Sequence, residues 1–140
     1  MKKISIIILI ASLVFVLSAC RSYEIKQEEK YTMNAFYSYG GDSARTEISY
    51  EVIIGGAEKD IANIDTCEVL INMDYLDLLL KNGPHNSQKE LGENPYAMIT
   101  GKFVFNTSGK SKEEIDDMKL LDAVRVVDKD KNDVIIKLNK

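Results

Sequence analysis

From Tyr31 onward the chain is organised by a period of two. Thr46 to Ile54 carries it most cleanly, with Ile48, Tyr50, Val52 and Ile54 on one face and Glu47, Ser49 and Glu51 on the other. Successive side chains of a strand point to opposite faces, so this alternation marks a strand with one buried face. A helix over the same residues would repeat its apolar positions every three or four. Tyr31 to Tyr39 alternates too: Tyr31, Met33, Ala35, Tyr37 and Tyr39 share a face, and Phe36 is the apolar exception on the other. Gly40-Gly41-Asp42-Ser43 between the runs is turn chemistry, and the two are expected to pair as an antiparallel hairpin.

The remaining elements follow from the same rules. Ala57 to Thr66 reads as a polar connection and Cys67 to Asn72 as a third strand. In Met73 to Asn82, Leu76, Leu79 and Leu80 have helical spacing, Asp74 is placed to cap, and Gly83-Pro84 is a stop, so a short helix is expected. Gly83 to Pro95 is an irregular polar loop holding both prolines and the sole histidine, His85. Met98 to Asn106 returns to strand with Ile99, Phe103 and Phe105 on one face, and Gly101 marks a bulge within it. Ser111 and Glu114 are spaced as a capping box for a helical turn ending at Met118. Leu120 to Val127 and Val134 to Leu138 are the last strands, joined by the turn Asp128 to Asp133. Strands of this length with frequent turns imply a mainly β fold. The expectation is an antiparallel β-sandwich of immunoglobulin-like architecture over 31–140, with one or two short helical turns. No Trp, cysteine pair or tyrosine corner supports a true immunoglobulin domain.

The N-terminus carries an address. Lys2 and Lys3 precede thirteen uncharged residues, Ile4 to Val16, broken only by Ser5 and Ser12. A positive start followed by a short apolar core is the pattern of a secretory signal. Leu17-Ser18-Ala19-Cys20 then resembles the lipobox of bacterial lipoproteins. The resemblance covers residues 1–20. It implies cleavage between Ala19 and Cys20 and a diacylglyceryl group on the Cys20 thiol. An uncleaved anchor is the alternative, but seventeen uncharged residues lie at the lower limit for a span. Two acyl chains suffice for stable attachment where one is marginal. The expected map is therefore a signal peptide at 1–19, lipidated Cys20 with a polar stalk at 20–30, and the sandwich at 31–140. The expected location is the extracytoplasmic face of a bacterial cell membrane.

Charge narrows the partners. Residues 1–19 hold two lysines and no acids, so 121 mature residues carry 16 basic and 22 acidic side chains, net −6. An acidic domain is a poor fit for nucleic acid, and no nucleic-acid partner is expected. Lipidation would consume Cys20 and leave Cys67 alone. In the β-like run Cys67-Glu68-Val69-Leu70-Ile71 it reads as a small buried apolar residue without the basic neighbour that activates a thiol.

Candidate chemistry is sparse. Asp128, Asp130 and Asn132 occupy the first, third and fifth places of a calcium loop, but Asp133 stands where Gly is needed and Asn139 where Glu is needed. A hairpin turn explains them better, and no metal site is expected. His85 lies in a loop without a hydrolase motif, and no zinc cluster or phosphate-binding glycine loop is present. Glu113, Glu114, Asp116 and Asp117 form an acidic run that reads as a solvated face. Asn106-Thr107-Ser108 matches a glycosylation acceptor and is discounted in a bacterial lipoprotein. Tyr31, Tyr37, Tyr39 and Tyr50 offer aromatic area of the kind interfaces use, but sharing a face with Met33 favours the core. The expectation is thus a cofactor-free, non-catalytic binding or accessory module with an envelope protein partner, and loop 83–95 as its recognition surface. An inhibitor of an envelope enzyme is the alternative. An enzyme built on the acidic run is the least favoured.

Overall fold

The computed structural model describes residues 30–138. Within them the expected sandwich of two antiparallel sheets is present. Strand β1 (Tyr31–Gly41) and β2 (Arg45–Gly56) form a hairpin in continuous one-to-one register, Tyr31 opposite Gly56 and Gly41 opposite Thr46. Its turn is closed by Asp42, whose carboxylate accepts from the amides of Ala44 (2.8 Å) and Arg45 (3.0 Å). Gly41 has φ of 110°, and a Cβ there would collide with the Arg45 carbonyl, so only glycine suits the turn.

Helix α1 (Glu58–Asn63) and β3 (Ile64–Ile71) come next, where a polar connection was expected. Six residues cannot hold a helix alone. This one is fixed from outside: Ile61 is fully buried, the Asn63 carbonyl accepts from the Lys129 amide at 2.9 Å, and Lys89 donates to the Ala62 and Ile64 carbonyls.

Met73–Leu78 is a 3-10 turn followed by β4 (Leu79–Asn82), so the expected helix is tighter and shorter and gives way to a strand. Its cap is Asn72, whose side chain accepts from the Asp74 amide at 3.1 Å, and Asp74 is not the cap. Strand β5 (Asn86–Glu90) lies inside the expected loop. Both β4 and β5 run along the same side of β6 (Tyr96–Asn106), one beyond the other, with Gly83 between them donating to the Lys102 carbonyl at 2.9 Å.

Helix α2 (Lys112–Met118) has the capping box: Glu114 N donates to Ser111 Oγ at 3.2 Å and Ser111 N to the Glu114 carboxylate at 2.6 Å. Strands β7 (Leu121–Asp128) and β8 (Asp133–Lys137) finish the chain. The sheet orders are β1-β2-β6 with β4 and β5 beyond, and β3-β7-β8.

The core lies between the sheets. Ile48, Tyr50, Val52 and Ile54 of β2 meet Ala97, Ile99, Phe103 and Phe105 of β6, facing Val69, Val124 and Val126. Gly101 is not a bulge: the β2–β6 register is unbroken there. Tyr50 pairs with Gly101, its ring lies over the glycine where a Cβ would strike it, and it stacks on Phe103 at 5.4 Å. A flat ring over a glycine on the neighbouring strand fills the space that a missing side chain leaves.

Candidate functional site

Register places Tyr37 opposite Tyr50 and Tyr39 opposite Ile48, so both tyrosines belong to the core face of β1. They are nevertheless 45% and 40% exposed, which corrects the expectation that they are core. The opposing sheet has three strands against five, and β1, at the edge, contacts chiefly β2. Beyond Ala35 its inner-face side chains border depressions instead of packing in the core. Helix α2 and the start of β7 face them across an open groove.

Tyr39 and Asp116 stand between two adjoining depressions of about 310 and 160 Å³. Tyr37, Lys119 and Leu121 line the smaller, and the β1–β2 turn, Lys110, Lys112 and Ile115 the larger. The tyrosine rings meet edge to face, centroids 6.0 Å apart at 81°. That geometry is favourable for aromatic pairs and holds the two rings as a preformed corner. Burial raises the Tyr39 hydroxyl above its ordinary value, and Tyr37 and Asp116 add to the rise. Tyr39 therefore stays protonated at neutral pH and can both donate and accept. The floor is fixed by a buried pair that the sequence did not suggest. Thr46 Oγ1 and Thr107 Oγ1 lie 2.8 Å apart, and the Thr107 amide donates to the Ala44 carbonyl at 3.0 Å.

The other candidates separate. Ala19 and Cys20 lie outside the described residues. Cys67 is half-buried against the core, and burial pushes its thiol up to about 11, with Lys89 opposing weakly. Asp128 is buried and accepts from the Asn132 amide and side chain, both at 2.9 Å, so the aspartate closes the hairpin turn. His85 is exposed at the break between β4 and β5, its Cβ beside Gly101. The first half of loop 83–95 is held on β6 as strand β5, so it is not the irregular loop expected. Of the acidic run all four are exposed, and only Asp116 lines the groove. Asn106 Oδ1 accepts from Ser108 N at 3.2 Å, a local turn.

Among the described residues no group of three His, Cys, Asp or Glu side chains is placed to hold a metal ion, and no helix is long and apolar enough to cross a membrane. No protein-family model matches the chain, and neither a curated protein nor a solved structure matches it. What the groove offers is aromatic area, a carboxylate and flanking ammonium groups around two tyrosine hydroxyls. These are the means of non-covalent capture.

Proposed function

We propose that the chain is a bacterial lipoprotein, held at the extracytoplasmic face of the cell membrane by lipid on Cys20, whose sandwich is a non-catalytic binding module. The partner is an envelope protein, and it seats a segment in the groove of Tyr37, Tyr39 and Asp116. The observation that carries the groove is the exposure of two core-face tyrosines in a fixed edge-to-face pair. Aromatic side chains left half-exposed beside a depression are a recurrent feature of binding surfaces. The lipobox pattern at Leu17 to Cys20 carries the anchor.

The immunoglobulin-like architecture is supported by strand order. With β4 and β5 taken as one interrupted strand, β1-β2-β6-β4/β5 and β3-β7-β8 follow the order of the two sheets of a constant-type immunoglobulin domain. Such sandwiches serve many unrelated functions, so the fold adds nothing to the choice of partner.

Crosslinking of full-length protein in its native membrane, followed by mass spectrometry, tests the module. A single partner captured by the native chain and lost with Tyr39→Ala or Asp116→Asn is expected. Equal capture by the variants would remove the groove from the site. Cys20→Ala should abolish processing and release the protein from the membrane; continued lipid attachment would refute the anchor.

A further inference from the structure

Among the described residues no strand pairs with the outer edge of β1. Exposed edges recruit other strands, and proteins blunt them with short length, charge, proline, bulges or a cover. Here β1 is eleven residues long, contains no charged residue and no proline, and pairs with β2 without a register shift. It is the longest uncharged run among residues 30–138. Phe36, at its centre, is 59% exposed on the outer face.

We propose that this edge is a docking surface for a second copy of the chain, the two β1 strands pairing antiparallel about a two-fold axis at Phe36. The strand is chemically symmetric about that residue. Pairing Phe36 with its mate sets Ala35 opposite Tyr37, Met33 opposite Tyr39, Asn34 opposite Ser38 and Tyr31 opposite Gly41. Around the axis apolar meets apolar on the inner face and Asn34 meets Ser38 on the outer, while Gly40 and Gly41 leave room opposite Thr32 and Tyr31. The flanks are complementary in charge, for the same register brings Lys30 of one copy towards Asp42 of the other. An isologous contact sets one patch against an identical copy of itself, so an acidic molecule self-associates best through a surface with no net charge. The outer face of the smaller sheet is of the opposite kind, with Arg125 held between Glu68 (3.3 Å) and Asp133 (2.8 Å). The pairing runs through the backbone edge of β1 and centres on outer-face Phe36, which does not line the groove of Tyr37, Tyr39 and Asp116, so Phe36 variants test it separately from the partner proposed above.

The test is disulfide crosslinking of the full-length chain in bacterial membranes, with Cys67→Ala as background and control. Opposed antiparallel residues have Cα atoms about 4.5–5.5 Å apart, within disulfide reach. Phe36→Cys should link to a dimer on oxidation. Asn34→Cys and Ser38→Cys alone should not, since each lies roughly 13 Å from its own mate. The two together should link to one another. Sedimentation of the detergent-solubilised chain should give twice the protomer mass, and Phe36→Lys should weaken association at least tenfold with unchanged circular dichroism. A monomeric native chain, equal linking at 34, 36 and 38, or a dimer indifferent to Phe36→Lys would overturn the proposal.

Discussion

The larger sheet has two edges, and they are built in opposite ways. The β4–β5 edge is short in each piece, interrupted at Gly83, followed by Pro84, and carries Lys81, Lys89 and Glu90. The β1 edge is long, regular and uncharged. Interruption, proline and lysine are the usual means of discouraging a further strand. Their concentration on one edge and absence from the other indicates that stability alone does not explain β1. One edge is closed by its sequence, and the other is left available.

The contrast can be probed from its strongest element down. Phe105 is fully buried and pairs with Leu79 of β4, so Phe105→Ala should cost about 3–5 kcal/mol in urea unfolding. Gly101→Ala drives a methyl into Tyr50, midway between the edges, and should cost about 1–3 kcal/mol by overpacking. Lys89 works inward from the closed edge, its amine 2.8 Å from the Ile64 carbonyl. Lys89→Met should therefore cost about 1–2 kcal/mol, the scale of a part-buried charge-assisted hydrogen bond. Phe36→Ser at the open edge should stay within about 0.5 kcal/mol in monomer stability, as exposed substitutions do. A large loss there would mean that β1 matters to the fold itself and would erase the contrast.

Titration adds a further check on the core behind these edges. The Cys67 thiol lies near 11 against an ordinary value of 9.0, so the folded state holds its proton more tightly than the unfolded chain. Its contribution to stability is complete below about pH 9 and is lost as pH rises towards 11. Tyr50, raised by burial, acts in the same direction at higher pH. The thiolate is the species that reacts, and its population falls about tenfold for each pH step by which burial lifts the thiol. At pH 8, in a chain with Cys20→Ser, alkylation of Cys67 should therefore be roughly a hundredfold slower than in the denatured chain. Equal rates would place the thiol in solvent.

Much of this was legible in the sequence, and the failures are instructive. Alternation at Thr46 to Ile54, the Gly40 to Ser43 turn and the Ser111–Glu114 capping box are local signals, and each is present, the turn itself beginning at Asp42 after Gly40 and Gly41 complete β1. Strand β5 escaped because Asn86 to Glu90 are all exposed and polar, leaving no alternation to read. Helix α1 escaped because one buried residue, Ile61, cannot establish a period. The groove escaped for a different reason. Alternation assigns Tyr37 and Tyr39 to the inner face, but it cannot tell whether the opposite sheet extends far enough to cover that face. Asp116 was one carboxylate in a run of four, and only tertiary structure brings it to Tyr39.

The central pairing also sets a timetable. Strand β1 meets β2 across a three-residue turn, whereas Ile48 of β2 meets Phe103 of β6 from 55 positions away. Closing a long loop costs more entropy than closing a hairpin, and distant pairings form more slowly. The β1–β2 ribbon can therefore assemble as soon as Gly56 is available and must wait for β6. During that interval both of its edges are open, and the uncharged one lies ready before the sandwich exists. Self-recognition along β1 would then compete with folding when many chains fold together, and their local concentration would decide which comes first.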